Sequence, residues 1–427
     1  MSAATDGPTP HVSQPPQPHR MPQTHRTDPT TPAQQTPDAH LTPQTPPHGR
    51  SPARLLTKPV VVVAGQTPPP VGGQALMIAR LRQGLAASGW FYVDALPFFF
   101  TRHARQARRA GAGKLLEVAA VLRRLRRLHA RRPIDVLLYP VGGPQRVPLV
   151  RDLLLLPWCL LAARRVVLHF HAAGLADALG GFDPVFRGLV RSLYRRADAA
   201  LVLTEFGRRD PESVGVRDVR VAPLGLAHEL DPALVARGGE RPVLLCVGHL
   251  CAEKGTPTLL EAAARLRDAG HAFTLRLAGE PLAPYTDAAL AADIDRLALG
   301  DVVERCGVVT GRDKWRLFGA ADLLVFPTVA SYESFGLVMV EAMSWGLPIV
   351  ATDWRGNREV LGEPVGGRCY PPGDDPAAAL TEALGAALAE RARWPAWGAA
   401  NRARYAARFR DDGAGGAVGR ALQELLR

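Results

Sequence analysis

Cysteine is scarce in this chain. Its 427 residues include five, Cys159, Cys246, Cys251, Cys306 and Cys369, without paired spacing. That argues against a disulfide framework or a zinc site and for a reducing compartment. Long hydrophobic runs are also missing. The longest, residues 153–163, contains Pro157 and is too short to span a bilayer. No apolar signal-peptide core follows the N-terminus, so the expectation is a cytoplasmic protein. Aromatic residues are 6% of the chain and do not interleave with its basic stretches. Nucleic-acid binding, which needs such stacking platforms, is therefore disfavoured. The dinucleotide fingerprint G-x-G-x-x-G is absent, which counts against a dehydrogenase.

What is present is enough for two domains with real cores. The net charge of +12 is unevenly placed. Lys and Arg stand 5 against 3 Asp and Glu in residues 1–58, 25 against 13 in 59–235, and 22 against 24 in 236–427. A basic middle third suits an anionic membrane or an anionic lipid-linked substrate. Residues 1–57 are rich in Pro, Gln, Thr and His and poor in apolar side chains, so a disordered tail is expected there. Its five histidines lack regular spacing and read as solvated.

From residue 59 onward apolar runs alternate with amphipathic stretches, the pattern of parallel α/β domains. VVVVAG at Val60–Gly65 reads as a strand buried on both faces. A turn with Gly72 and Gly73 then opens a helix over 74–88, and glycines there let a ligand approach backbone N–H groups. Further strands are expected at 91–96, 134–139, 166–171, 199–204, 221–226 and 243–247. A basic helix lies near 114–132. Its Leu115, Val118, Leu122, Leu125 and Leu128 form one stripe, and Arg123, Arg124, Arg126 and Arg127 fill other faces. Two readings stand: a surface helix with a buried stripe, or an interfacial helix docking on anionic lipid. His169 and His171, two apart in a strand, point the same way.

The most informative stretch is SYESFGLVMVEAMSWGLPIVATDWRGNREVL, residues 331–361. It reads loop, helix, strand. Ser334 is a candidate helix cap, and the Phe335-Gly336 turn lies at the helix start, where N–H groups lack intrahelical partners. Glu333 stands at that mouth. Glu341, eight residues on, falls on a similar face about 12 Å along the axis. Leu337, Val338 and Val340 are expected to bury the helix. Two such carboxylates are either solvated surface or a grip on a long polyhydroxylated ligand.

With Pro327, Gly336, Ala342-Met343, Gly346, Pro348 and Ala351-Thr352 in the same run, the stretch resembles the signature of retaining glycosyltransferases of family 4, which have the GT-B fold. GHLCAEKG after the strand 243–247 resembles the same family's donor loop. Lys254 matches its lysine, Gly248 its glycine, and His249 stands where arginine is commoner. Pro223-Leu224-Gly225 replaces the usual P-N-G. The resemblance implies two Rossmann-like domains facing a central cleft, 58–235 on the acceptor side and 236–427 on the donor side, with the last helix returning toward the first domain. It implies transfer of a sugar from a nucleotide diphosphate sugar to a hydroxyl, with retention and without a metal or other cofactor. Glu333, Lys254 and His171 would be catalytic. Gly73, Gly248, His249, Phe335, Gly336, Leu337 and Glu341 would bind the donor, with Glu341 on the ribose. The implied partners are a nucleotide-sugar donor and a lipid-linked or saccharide acceptor, with an anionic membrane surface beside the basic domain. A non-catalytic nucleotide-sugar-binding scaffold is the alternative; an epimerase or phosphorylase fits less well.

Overall fold

The computed structural model describes residues 58–66, 73–100, 112–228, 230–362, 366–411 and 416–427. The expected tail and the loop carrying Gly72 lie outside them.

Two six-stranded parallel sheets form the molecule. The first contains β1 (Val60–Gly65), β2 (Tyr92–Pro97), β3 (Ile134–Pro140), β4 (Ala163–His169), β5 (Ala199–Val202) and β6 (Val219–Val221), in the order β2-β1-β3-β4-β5-β6. Its connecting helices are α1 (Gly73–Ala87), α2 (Ala112–Arg131), α3 (Arg146–Ala162), α4 (Leu175–Leu179), α5 (Pro184–Tyr194) and α6 (Arg209–Ser213). Central strands such as β1 are buried throughout, as unbroken valine runs require in a sheet covered on both faces. Right-handed crossovers dictate the layers. The chain steps one way from β1 to β2 and the other way from β2 through β6. So α1 covers one face with Ile78, Leu81 and Leu85. Helices α2, α3 and α5 cover the other with Val121, Leu125, Leu155, Leu156 and Val190.

The second sheet contains β7 (Val243–Val247), β8 (Thr274–Ala278), β9 (Val303–Gly307), β10 (Leu323–Phe326), β11 (Ile349–Thr352) and β12 (Gly367–Tyr370), in the order β12-β11-β10-β7-β8-β9. Its helices are α7 (Thr256–Asp268), α8 (Asp287–Arg296), α9 (Gly311–Ala320), α10 (Leu337–Ser344), α11 (Asn357–Leu361) and α12 (Pro376–Ala389). Counted from β7, the order is 3-2-1-4-5-6 reversed, that of dinucleotide-binding sheets.

The C-terminal stretch 394–426 is not one continuous helix. After α13 (Trp394–Arg404) comes a π-turn, Tyr405–Phe409, and then α14 (Gly416–Leu426). The Leu226 amide donates to Phe409 O at 2.8 Å, and the Tyr405 hydroxyl to Leu226 O at 2.6 Å. Beyond that crossing α14 packs against α1. Arg220 of β6 reaches Glu424 at 3.3 Å, and Arg165 of β4 bonds Leu425 O. The chain therefore ends on the first sheet.

Two expectations about helix faces are corrected. In α2 the buried positions are Val121 and Leu125, while Leu115 is 64% exposed. The stripe starts a turn later than the leucine spacing suggests. In α10, Met339, Val340 and Glu341 are buried while Leu337 and Val338 are only partly so.

Candidate functional site

Ligands of open α/β sheets bind beyond the carboxyl ends of the strands, where the strand order reverses. In the second sheet that point lies between β7 and β10, which are paired neighbours. The loops that leave these strands carry Lys254 and Glu333. Gly255 lets them meet. It sits at φ +78° as the N-cap of α7, and a Cβ there would lie 2.3 Å from Pro327 O. Only glycine takes both the left-handed backbone and the close approach. Val329 N then donates to Glu253 O at 3.0 Å, and the Thr328 hydroxyl to the same oxygen at 3.4 Å.

The result is a compact polar cluster. Lys254 Nζ lies 2.5 Å from Glu333 Oε2 and 5.3 Å from the centre of the Tyr332 ring. Thr328 Oγ1 is 3.5 Å from the same carboxylate oxygen. Glu333 Oε1 accepts from Gly336 N at 3.2 Å. Glu333 is thus in the loop before α10, not on a helical face shared with Glu341. Ser334 does not cap the helix. Gly336 is the N-cap, at φ +62°, with no side-chain cap, and Ser334 Oγ donates to His171 O at 2.6 Å. The anion-attracting end of α10 is consequently held open by the glycine and faced by one carboxylate. Phe335 turns its ring inward, edge-on to Phe409 at 5.7 Å, so only its backbone faces the loop's ligand side.

Glu341 is 3% exposed and is held by charges. Lys314 of α9 bonds it at 2.7 Å, and Arg80 of α1, on the first sheet, stands 3.8 Å away. Leu337 and Arg80 line a shallow hollow with Met77, Leu224 and Val418. Nothing in the sequence pairs Lys314 or Arg80 with Glu341, 27 and 261 positions away.

His249 follows Gly248 at the end of β7, half-buried beside Glu280 and Lys254. Burial holds its pKa below the ordinary imidazole value despite the nearby Glu280 carboxylate, and Lys254 lowers it further. It is neutral at pH 7 and offers one donor rather than a charged fork.

The first sheet contributes His171, just past β4. Its backbone oxygen is tied to Ser334, and Ala173 N donates to Tyr332 O at 3.1 Å. The histidine is therefore close to the Glu333 loop. Its ring lies 4.0 Å from that of His169, both buried, as the two-residue spacing requires. Burial pushes His171 down to about 4, and burial together with His171 pushes His169 well below its usual range. Gly73 is the first residue of α1, at the carboxyl end of β1. Among the described residues no group of His, Cys, Asp and Glu could hold a metal ion, and no helix is long and apolar enough to cross a membrane.

Residues 241–390, which hold most of this cluster, match the family model described as Glycosyl transferases group 1. Alpha-D-kanosaminyltransferase of Streptomyces kanamyceticus is 29% identical over 204 residues, 44% of this chain and 51% of that protein. The chain spans about half the length of the curated relatives it matches. Sucrose-phosphate synthase of Thermosynechococcus elongatus superposes with a TM-score of 0.68 at 20% identity, over 86% of this chain and 99% of that one. HepE of Anabaena, solved in complex with UDP and glucose, superposes with a TM-score of 0.62 at 20% identity and the same coverage. Both likenesses concern the fold, and the paired six-stranded sheets are the GT-B arrangement.

Proposed function

We propose that the chain is a retaining, metal-independent glycosyltransferase of family 4. It moves a sugar from a nucleotide diphosphate sugar to a hydroxyl of a saccharide or lipid-linked acceptor, in the synthesis of a cell-surface polysaccharide or glycolipid. The observation that carries this reading is the Lys254–Glu333–Gly336 cluster at the second sheet's reversal point. Without a ligand, the ammonium and the carboxylate satisfy each other. An arriving donor replaces both halves of that pair: its pyrophosphate takes Lys254, and its sugar hydroxyls take Glu333. Negative charge grows on the departing phosphate as the glycosidic bond breaks. A fixed cation and the open N-terminus of α10 stabilise that charge without reorganising. In this reading these groups take the part that a divalent ion would otherwise play.

Glu341 holds the ribose in this reading, once Lys314 yields one of its carboxylate oxygens. A neutral His171 accepts a hydrogen bond from the sugar or helps move the acceptor's proton. Arginines on the first domain hold the chain against the membrane's inner face, close to a lipid-linked acceptor.

The test is thermal unfolding with UDP, GDP and ADP, for the native chain and Glu341→Ala. A nucleotide at a hundred times its Kd adds about 2.7 kcal/mol of stability, which reads as a shift of several degrees. UDP comes first because HepE, of the same fold, was solved with it. Turnover of the matching nucleotide sugar in the presence of a chelator, with the donor's anomeric configuration kept in the product, completes the reading. His249 favours a second one: a neutral imidazole beside the phosphates weakens catalysis, as in a non-catalytic donor-binding scaffold. A nucleotide shift without turnover on any acceptor would establish that scaffold instead.

A further inference from the structure

Helix α3 breaks the rule that an all-apolar helix is buried. From residue 153 to its end at Ala162 it carries no charge, yet it lies in the outer layer of the first sheet. Its buried side is filled by Leu149, Leu155, Leu156 and Cys159. Its solvent side presents Val150, Leu154, Trp158 and Leu161, the last two 54% and 74% exposed. Their spacings of four, four and three place them on one face. Helix α5, packed alongside, adds Val185 and Leu189 in the same manner.

We propose that this face is a docking surface for an anionic lipid bilayer. The choice of occupant rests on charge. Between residues 112 and 198 the chain has fifteen Lys and Arg against six Asp and Glu. Exposed Arg123, Arg126 and Arg127 stand on α2, which packs against α3, and exposed Arg191 and Arg195 stand on α5 and at its C-cap. The acids are already engaged: Asp152 is buried under the Tyr139 and Tyr194 hydroxyls, Glu117 is bonded to Arg124, and Asp183 to Arg146. An apolar strip centred on a tryptophan and rimmed by arginine matches acyl chains below and phosphates above. A second copy meeting the same face would oppose arginine to arginine. Helix α3 starts at the carboxyl end of β3 and runs away from it, so Trp158 and Leu161 lie about 20 Å along the axis from that end. The proposal extends the membrane association given above from arginines to a built apolar face, and its test is independent of sugar transfer.

The experiment is co-sedimentation of the full chain with phosphatidylcholine vesicles, with and without phosphatidylglycerol. Binding is expected to the anionic vesicles and to weaken with salt. Leu154→Glu/Leu161→Glu should lower partitioning at least about tenfold, and Arg123, Arg126 and Arg127 changed to Gln about fivefold per arginine. Brominated lipid should quench tryptophan fluorescence in the native chain and lose most of that effect in Trp158→Phe. That conservative variant carries the test if the glutamate pair does not fold. No sedimentation at low salt, equal binding to neutral vesicles, or unchanged binding and quenching in the variants overturns the proposal. So does a native dimer that the glutamate pair dissociates, which would mean that a second copy covers the face. The nucleotide-induced thermal shift, measured in parallel, reports on the cleft separately.

Discussion

The two sheets reverse their strand order at different places and with different chemistry. The second does so between β7 and β10, where Lys254, Glu333 and the end of α10 converge within hydrogen-bonding distance. The first does so between β1 and β3, and the neighbouring end of β4 carries the buried pair His169 and His171. Formal charge runs the other way. The half with the ionic cluster is nearly neutral, and the half with the neutral histidines is strongly basic. Among the described residues, exposed Arg123, Arg126, Arg127 and Arg191 sit on the helices α2 and α5. In the proposed reading net charge marks the membrane-facing surface, while the converging loops hold the chemistry.

The largest expected effect tests the ionic side. Lys254→Ala should lower kcat by about 10²–10³-fold, the usual loss for one preorganised group facing developing charge. His249→Ala, removing a neutral donor, should cost markedly less. Equal losses, measured with the nucleotide sugar identified by thermal shift, would mean that His249 is charged with donor bound and that the contrast is wrong.

The neutral side predicts a pH response. His171 falls to about 4 in the folded chain from an ordinary 6.5. The unfolded chain therefore binds the proton first as pH drops. The stability held by the neutral form is complete above about 6.5 and is lost progressively toward 4, about 3 kcal/mol in all for that group. His169 acts in the same direction. Urea midpoints of the native chain should fall across this window, and His171→Asn should flatten the fall. An unchanged slope would break the assignment.

Much of the cluster's layout was legible because it is local. A strand, a short loop, Lys254 and then glycine define one turn, and Glu333 with Gly336 defines the other. Errors arose where a local rule met tertiary packing. Ser334 has the chemistry of a cap, but its hydroxyl is recruited across the sheets by His171 O, and Gly336 caps instead. Glu333 was placed at the mouth of a helix capped by Ser334 and one face was extended from it to Glu341, whereas the helix starts later, at Leu337. Lys314 and Arg80 were invisible as partners of Glu341 because only the fold brings them near. The run 153–163 was read for its length alone, and its exposed side emerged only with the neighbouring helices.

Gly255→Ala probes the hinge of the comparison, the loop contact that creates the ionic site. A side chain there meets Pro327 O and a left-handed backbone. The expected cost is about 1–3 kcal/mol of stability, together with loss of the nucleotide-induced shift. Retained nucleotide binding would show that the two loops need not touch.

The smallest effect concerns the basic surface. Arg123, Arg126 and Arg127 are exposed, and like-charged neighbours on one helix repel. Arg124 differs: it bonds Glu117 at 2.7 Å and Pro97 O at 3.3 Å, and lies 5.2 Å from the Phe99 ring centre. Changing the three exposed arginines to Gln should therefore move stability by no more than about 0.5 kcal/mol, and Arg124→Gln should destabilise by up to about 1 kcal/mol. Chemical denaturation of the two variants separates these outcomes. If the triple variant were the less stable, those arginines would be part of the fold, and their abundance could not be credited to a partner surface.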